Sequence, residues 1–153
     1  MSGLEMRRVA GTDARAIALV DAMVAEMGEL YGPALSAEGF DVRPGELSPP
    51  HGGFVVLSDG EQAVAGGGIK RLDARTCEIK RMYVVPTARG RGTGRALLTA
   101  LEALARDLGY AVARLDTGAK QPGAQRMYEH AGYGHVPDYN GNPYAAFWGE
   151  KAL

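Results

Sequence analysis

Between Cys77 and Asp116 the chain spells out a strand, a glycine-rich turn, a helix and a second strand. The apolar run Cys77 to Val85 leads into Pro86-Thr87-Ala88-Arg89-Gly90-Arg91-Gly92-Thr93-Gly94-Arg95, and Leu97, Leu101, Leu104 and Leu108 follow. Those leucines step by four, three and four, which puts them on one apolar stripe of a helix. Gly109 supplies its stop. Ala111 to Asp116 then alternates as a strand, parallel to the first if the helix is a crossover. Such a unit is an anion site. The first helical turn leaves N–H groups without intrahelical acceptors, and the macrodipole adds about half a positive charge there. Glycines let the main chain approach an anion closely, and Arg89, Arg91 and Arg95 add donors suited to phosphate.

The remainder fits a mixed sheet with helices on its faces. Met6 to Val9 reads as a first strand; Thr12 offers an N-cap for a helix with Ile17, Val20, Val24 and Met27 at helical spacing, closed near Gly28 and Tyr31-Gly32-Pro33. Ser36 to Gly52 reads as a loop that has room for a short helix. Phe54 to Leu57 and Ala63 to Leu72 form a hairpin about Ser58-Asp59-Gly60-Glu61; Gly66-Gly67-Gly68 in its second strand marks a bulge or a close approach. Ala124 to Ala131 is a short helix, and strands near Tyr133–Val136 and Tyr144–Lys151 complete the pattern, with those last strands available to pair across a homodimer.

At 153 residues the expectation is one domain spanning 1–153. Lys and Arg number 17 against 18 Asp and Glu, so the charge of −1 argues against a nucleic-acid or polybasic membrane surface. One cysteine, Cys77, excludes an intramolecular disulfide and a zinc ribbon, and no histidine spacing points to a metal. No secretory signal or spanning segment is legible, because Asp21 and Glu26 interrupt the richest early apolar stretch; the cytoplasm is the expected location.

Known phosphate loops narrow the ligand. A Walker A loop needs a Gly-Lys pair, and none occurs. The dinucleotide pattern GxGxxG fails from Gly90, where Arg95 replaces the third glycine, and from Gly92, where Leu97 does. Arg89-Gly90-Arg91-Gly92-Thr93-Gly94 instead matches [QR]-x-x-G-x-[GA], the pyrophosphate signature of the GCN5-related N-acetyltransferases (GNAT). Met82-Tyr83-Val84-Val85-Pro86 resembles that family's strand and turn before the loop. Leu115-Asp116-Thr117 resembles its following strand, and Ala124 to Tyr133 is similar to its second motif, A-x-x-x-Y-x-x-x-G-[FY]. The resemblance covers about residues 54–151, with the N-terminal third matching in outline.

The resemblance implies an α/β (α+β) GNAT fold: a mostly antiparallel central sheet whose parallel pair splays apart, helices on both faces, and acetyl-CoA in the gap. It implies that backbone groups of Met82, Tyr83 and Val84 hold the pantetheine arm and acetyl carbonyl, and that Arg89, Gly90, Arg91, Gly92, Thr93, Gly94 and Arg95 hold the diphosphate. It makes Tyr128 the acid or hydrogen-bond donor to the departing thiolate. Glu78, at the offset from Arg89 where histone-type members carry a catalytic glutamate, becomes the candidate base, with ion pairing to Lys80 or Arg81, or orientation of substrate, as alternatives. An unbroken strand would give Glu78 the same face as Lys80, Met82 and Val84.

Cys77 reads as a small core residue before an acetyl carrier, and His130 as a surface residue. Tyr31, Tyr83, Tyr139 and Tyr144 are candidates for the amine pocket; Arg71 and Arg81 are candidates for a substrate carboxylate, with solvation the commoner outcome for strand arginines. The expected activity is transfer of acetyl from acetyl-CoA to a small-molecule primary amine in a ternary complex. Acetylation of a protein lysine or N-terminus, and non-catalytic acyl-CoA sensing, are the alternatives.

Overall fold

The computed structural model describes residues 3–32 and 42–153, so Pro33 and residues 36–41 of the expected loop lie outside the described residues. The elements run β1 (Leu4–Val9), α1 (Ala14–Tyr31), a 3-10 turn (Pro44–Leu47), β2 (Gly53–Asp59), β3 (Gln62–Arg71), β4 (Thr76–Val84), α2 (Thr93–Asp107), β5 (Val112–Gly118), α3 (Pro122–His130), β6 (Gly134–His135) and β7 (Ala145–Ala152). They form one seven-stranded sheet in the order β1-β2-β3-β4-β5-β7-β6. Among the described residues β4 and β5 are the one parallel pair. The strand expected at Tyr133–Val136 is reduced to the two residues of β6.

Both faces of the sheet are covered. The α2 stripe, joined by Leu98 and Ala105, packs on Val55, Leu57, Ile69, Cys77, Ile79 and Leu115, with α3 beside it. Burying each such leucine contributes about 1.5–3 kcal/mol. The opposite face, with Phe54, Val56 and Tyr83, lies under α1. Two details of α1 differ from expectation. Asp13, not Thr12, is the N-cap, its Oδ1 accepting the Arg15 N–H at 2.9 Å. The buried stripe is Ala16, Leu19, Met23 and Met27, while Ile17 is 40% exposed. Apolar residues occupy a wide arc of this helix, and packing on the sheet selects the neighbouring edge of it.

At the three consecutive glycines of β3 the covering layers press close. A Cβ on Gly66 would lie 2.7 Å from Leu19 and Phe54, one on Gly67 2.9 Å from Leu101, and one on Gly68 2.8 Å from Leu47. The close approach is therefore of the protein's own layers.

Gly67 also marks a bulge. Pairing jumps from Gly68↔Lys80 to Gly66↔Tyr83, so Arg81 and Met82 together oppose Gly67, and Arg81 takes φ +61°. The extra residue reverses the alternation of β4. Glu78 does not share a face with Met82 and Val84: those two join Cys77 and Ile79 against α2.

Pairing between β4 and β5 covers Thr76↔Val112, Cys77↔Ala113 and Glu78↔Arg114, and ends there. Both strands continue, to Val84 and Gly118, so a wedge opens between them. Among the described residues no helix is long and apolar enough to cross a membrane. Gly66→Ala is expected to cost about 1–3 kcal/mol through overpacking against Leu19 and Phe54; urea unfolding of the variant beside the parent measures it.

Candidate functional site

The wedge leads into two connected cavities. The larger is floored by Met82, Tyr83 and Val84 and ends at Arg89, Gly90 and Gly92 to Arg95; α1 and α3 form its walls. The smaller lies between residues 79–82 of β4 and Asp116, Thr117 and Gly118 of β5, beneath Met23, Met27 and Tyr31 and beside Asn142 and Tyr144. Met23, Met27, Met82, Gln121 and Tyr128 line both.

The far end of the larger cleft has the donors an anion needs. Gly90 and Gly92 adopt φ of +78° and +79°, conformations in which a side chain is strained, and a Cβ on either would stand in open space. Thr93 Oγ1 donates to Ala88 O at 3.0 Å and pins the turn. The helical ladder begins with Ala96 N–H on Gly92 O, so the amides of Thr93 to Arg95 point outward without intrahelical acceptors. Along β4, the splay frees the main-chain edge beyond Glu78 for an extended ligand. The residues thus fit the diphosphate and the amide-bearing arm of a coenzyme A thioester.

The arginines are used differently from one another. Arg89 Nη2 holds both oxygens of Glu26 at 2.8 and 2.9 Å, its Nε donates to Val84 O at 2.9 Å, and the guanidinium lies 5.6 Å from the Tyr83 ring centroid. Tyr83 Oη donates to the same Glu26 at 3.0 Å. Arg89 is therefore a clasp between the loop, the end of β4 and α1. Arg91 donates to Thr87 O at 2.7 Å and does not line the cleft, whereas Arg95 does.

Tyr128 stands where the cavities meet. It is 7% exposed and its hydroxyl donates to Met82 Sδ at 3.6 Å. Burial first, then the charge of Asp116, pushes this phenol well above its ordinary 10, so it stays protonated at neutral pH.

Glu78 is 2% exposed and lines neither cavity among the described residues. Its Oε2 accepts from Tyr139 Oη at 2.7 Å and Asn140 Nδ2 at 3.0 Å, with Lys80 Nζ 3.8 Å away. The Asn140 amide also donates to Asp116 Oδ2 at 2.5 Å, while its oxygen accepts from Trp148 Nε1 at 3.0 Å. The 138–142 loop thereby straps the two carboxylates together.

Tyr31 and Tyr144 line the smaller cavity, edge to face at 5.6 Å between ring centroids; Tyr83 and Tyr139 hold Glu26 and Glu78 instead. Arg81 is buried at the cavity wall, not solvated, and Arg71 is exposed beside His51. Cys77 is fully buried on the α2 face, and burial pushes its thiol up to about 12, which suits packing and not acyl transfer. Sequence reasoning did not single out Glu26, Asp116 or Asn140. Asp116 had a signal: Arg114 and Asp116 are charged residues at alternate positions of a strand whose other positions, Ala113 and Leu115, are core.

The clasp has a pH signature. The Arg89 hydrogen bonds hold the Glu26 carboxyl below its ordinary 4.5, against partial burial, with Tyr83 assisting. A depressed carboxyl stabilises the fold above its unfolded pKa and loses that contribution as pH falls through the folded value. Glu26→Gln is therefore expected to be less stable than the parent at pH 7, with the gap closing as pH falls below the ordinary 4.5, as urea unfolding at neutral and acid pH would read.

Comparisons with known proteins show the family to which the chain belongs. The acetyltransferase (GNAT) family model matches residues 18–133. The uncharacterized N-acetyltransferase YjgM of Escherichia coli (strain K12) is 34% identical over 146 residues, 88% of this chain and 83% of that protein. The IAA acetyltransferase of Azospirillum brasilense is 33% identical over 141 residues, 90% of each. A candidate acyl-CoA N-acyltransferase from Klebsiella pneumoniae superposes with a TM-score of 0.79 at 30% identity, covering 98% of this chain and 97% of its own. The chain belongs to the GNAT family of acetyltransferases.

Proposed function

We propose that the protein transfers acetyl from acetyl-CoA directly to the primary amine of a small molecule, with both substrates bound at once in the wedge between β4 and β5. The observation that carries this reading is the meeting of the two cavities at Met82 and Tyr128. Direct transfer needs cosubstrate and acceptor to converge on one point in attack geometry. The smaller cavity is walled by Met23, Met27, Tyr31 and Tyr144, apolar and aromatic surface suited to a compact acceptor. A primary amine on a compact body fits it better than a protein tail does.

Bound acetyl-CoA supplies a thioester carbonyl carbon that an amine nitrogen can attack. The amides from Gly90 to Arg95 and the Arg95 side chain would hold its diphosphate, and the free edge of β4 from Met82 to Val84 would hold the pantetheine arm. Arg89 acts on the cleft by clasping its walls together. Glu78 serves as an orienting carboxylate through Asn140, a role nearer to the substrate-orienting alternative than to the base.

Tyr128 acts as a hydrogen-bond donor at the leaving sulfur. A thiol is the stronger acid, with Cys near 8.5, so complete proton transfer from this phenol would run uphill. The sulfur of Met82 already marks a position from which the hydroxyl can be drawn to a sulfur acceptor. The buried thiol Cys77 suits a reducing compartment, and we place the protein in the cytoplasm.

Calorimetry with acetyl-CoA, followed by a thiol-release assay against small primary amines and lysine peptides, tests the reading. Heat of binding and saturable release with a small amine are expected. No heat with acetyl-CoA, or release with peptides alone, overturns it. Tyr128→Phe is expected to lower kcat about 100-fold, the scale of losing one donor to developing negative charge. Because the phenol's pKa is raised, the ratio of parent to variant should stay constant from pH 6 to 9.

A further inference from the structure

We infer that Asp116, rather than Glu78, is the carboxylate that meets the acceptor nitrogen, and that the acceptor is a monoamine with an apolar body. This rests on the acetyltransferase reading above. A general base must come within hydrogen-bond reach of the proton it removes. Glu78 fails that requirement: it is 2% exposed and lines neither cavity among the described residues. Asp116 lines the cavity directly and is partly exposed.

The position follows from the fold. Asp116 lies two residues beyond Arg114, the last residue of β5 paired with β4, on the strand edge that the splay uncovers. Its charge is felt at Tyr128, the group placed at the leaving sulfur, so the carboxylate and the phenol border the same small volume. Asn140 Nδ2 at 2.5 Å and Asn142 Nδ2 at 3.4 Å hold one oxygen, Oδ2, and fix the carboxylate's orientation with neutral groups. No cation is hydrogen-bonded to Asp116 among the contacts of the described residues.

The walls describe the rest of the acceptor. Met23, Met27, Tyr31 and Tyr144 offer apolar and aromatic surface. Lys80 occupies the β4 side, where a second ammonium would meet like charge. In the reaction, the ammonium first releases a proton to solvent. Asp116 takes the next proton from the nitrogen as the N–C bond forms. The C–S bond breaks with its electron pair going to sulfur, where Tyr128 donates a hydrogen bond, and the proton on Asp116 returns to solvent or to the thiolate.

The test uses the full chain with Asp and Glu side-chain carboxyls labelled with carbon-13, saturated with coenzyme A and titrated with 2-phenylethylamine or spermidine. Asp116→Asn assigns the Asp116 resonance and Glu78→Gln that of Glu78. The expected result is movement of the Asp116 signal with 2-phenylethylamine while Glu78 stays still, and weaker binding of spermidine. With acetyl-CoA, Asp116→Asn should lower kcat/KM for 2-phenylethylamine at least ~100-fold while its acetyl-CoA affinity is unchanged. An unmoved Asp116 signal, a parental rate in Asp116→Asn, or preference for spermidine overturns the inference. Absence of acetyl-CoA binding by the parent would overturn the acetyltransferase reading instead, so the two failures are distinct.

Discussion

The β4–β5 ladder ends after three pairs, and the remainder of the site depends on that termination. Two parallel strands that stayed together to their ends would seal the sheet and leave no internal strand edge. Here the bulge at Arg81 and Met82 turns β4 as the partner strand departs, and backbone groups that a sheet normally consumes become available to a ligand. The same bulge sends Met82 and Val84 to the α2 face and leaves Glu78 and Lys80 on the other. One inserted residue therefore keeps both halves of β4 packed on α2 while changing which alternate positions face it.

Closure around the opening comes from polar contacts made at long sequence separation. Glu26 and Arg89 join α1 to the loop, and Lys120 Nζ donates to Leu30 O at 2.6 Å nearby. Tyr31 reaches Gly118 so closely that its hydroxyl occupies the place a Cβ would take. On the far side Asn140 binds Glu78, Asp116 and Trp148 at once. Such contacts order the rim of the wedge without filling it.

The legible parts of the sequence were those where local chemistry decides. The glycine turn requires left-handed backbone at Gly90 and Gly92, and the α2 leucines require one buried face, so that unit could be read directly. The short helix that carries Tyr128 followed from its motif. The α1 register was harder, because Ile17 and Leu19 are equally apolar and only the sheet beneath decides between them. Arg81 was hidden for a related reason: a bulge is a property of two paired strands, and nothing in Lys80-Arg81-Met82 announces which residue is supernumerary. Glu26, Asp116 and Asn140 gain their roles from partners 63, 24 and 62 positions away, separations that spacing rules do not reach.

Cys77, sealed between β4 and α2, leaves the molecular surface without a native thiol among its described residues. A cysteine introduced on α1 or on the 138–142 strap would then be the sole site open to a maleimide dye. The protein is in that respect ready for distance measurements by fluorescence between its two rims, with no need to edit its interior first.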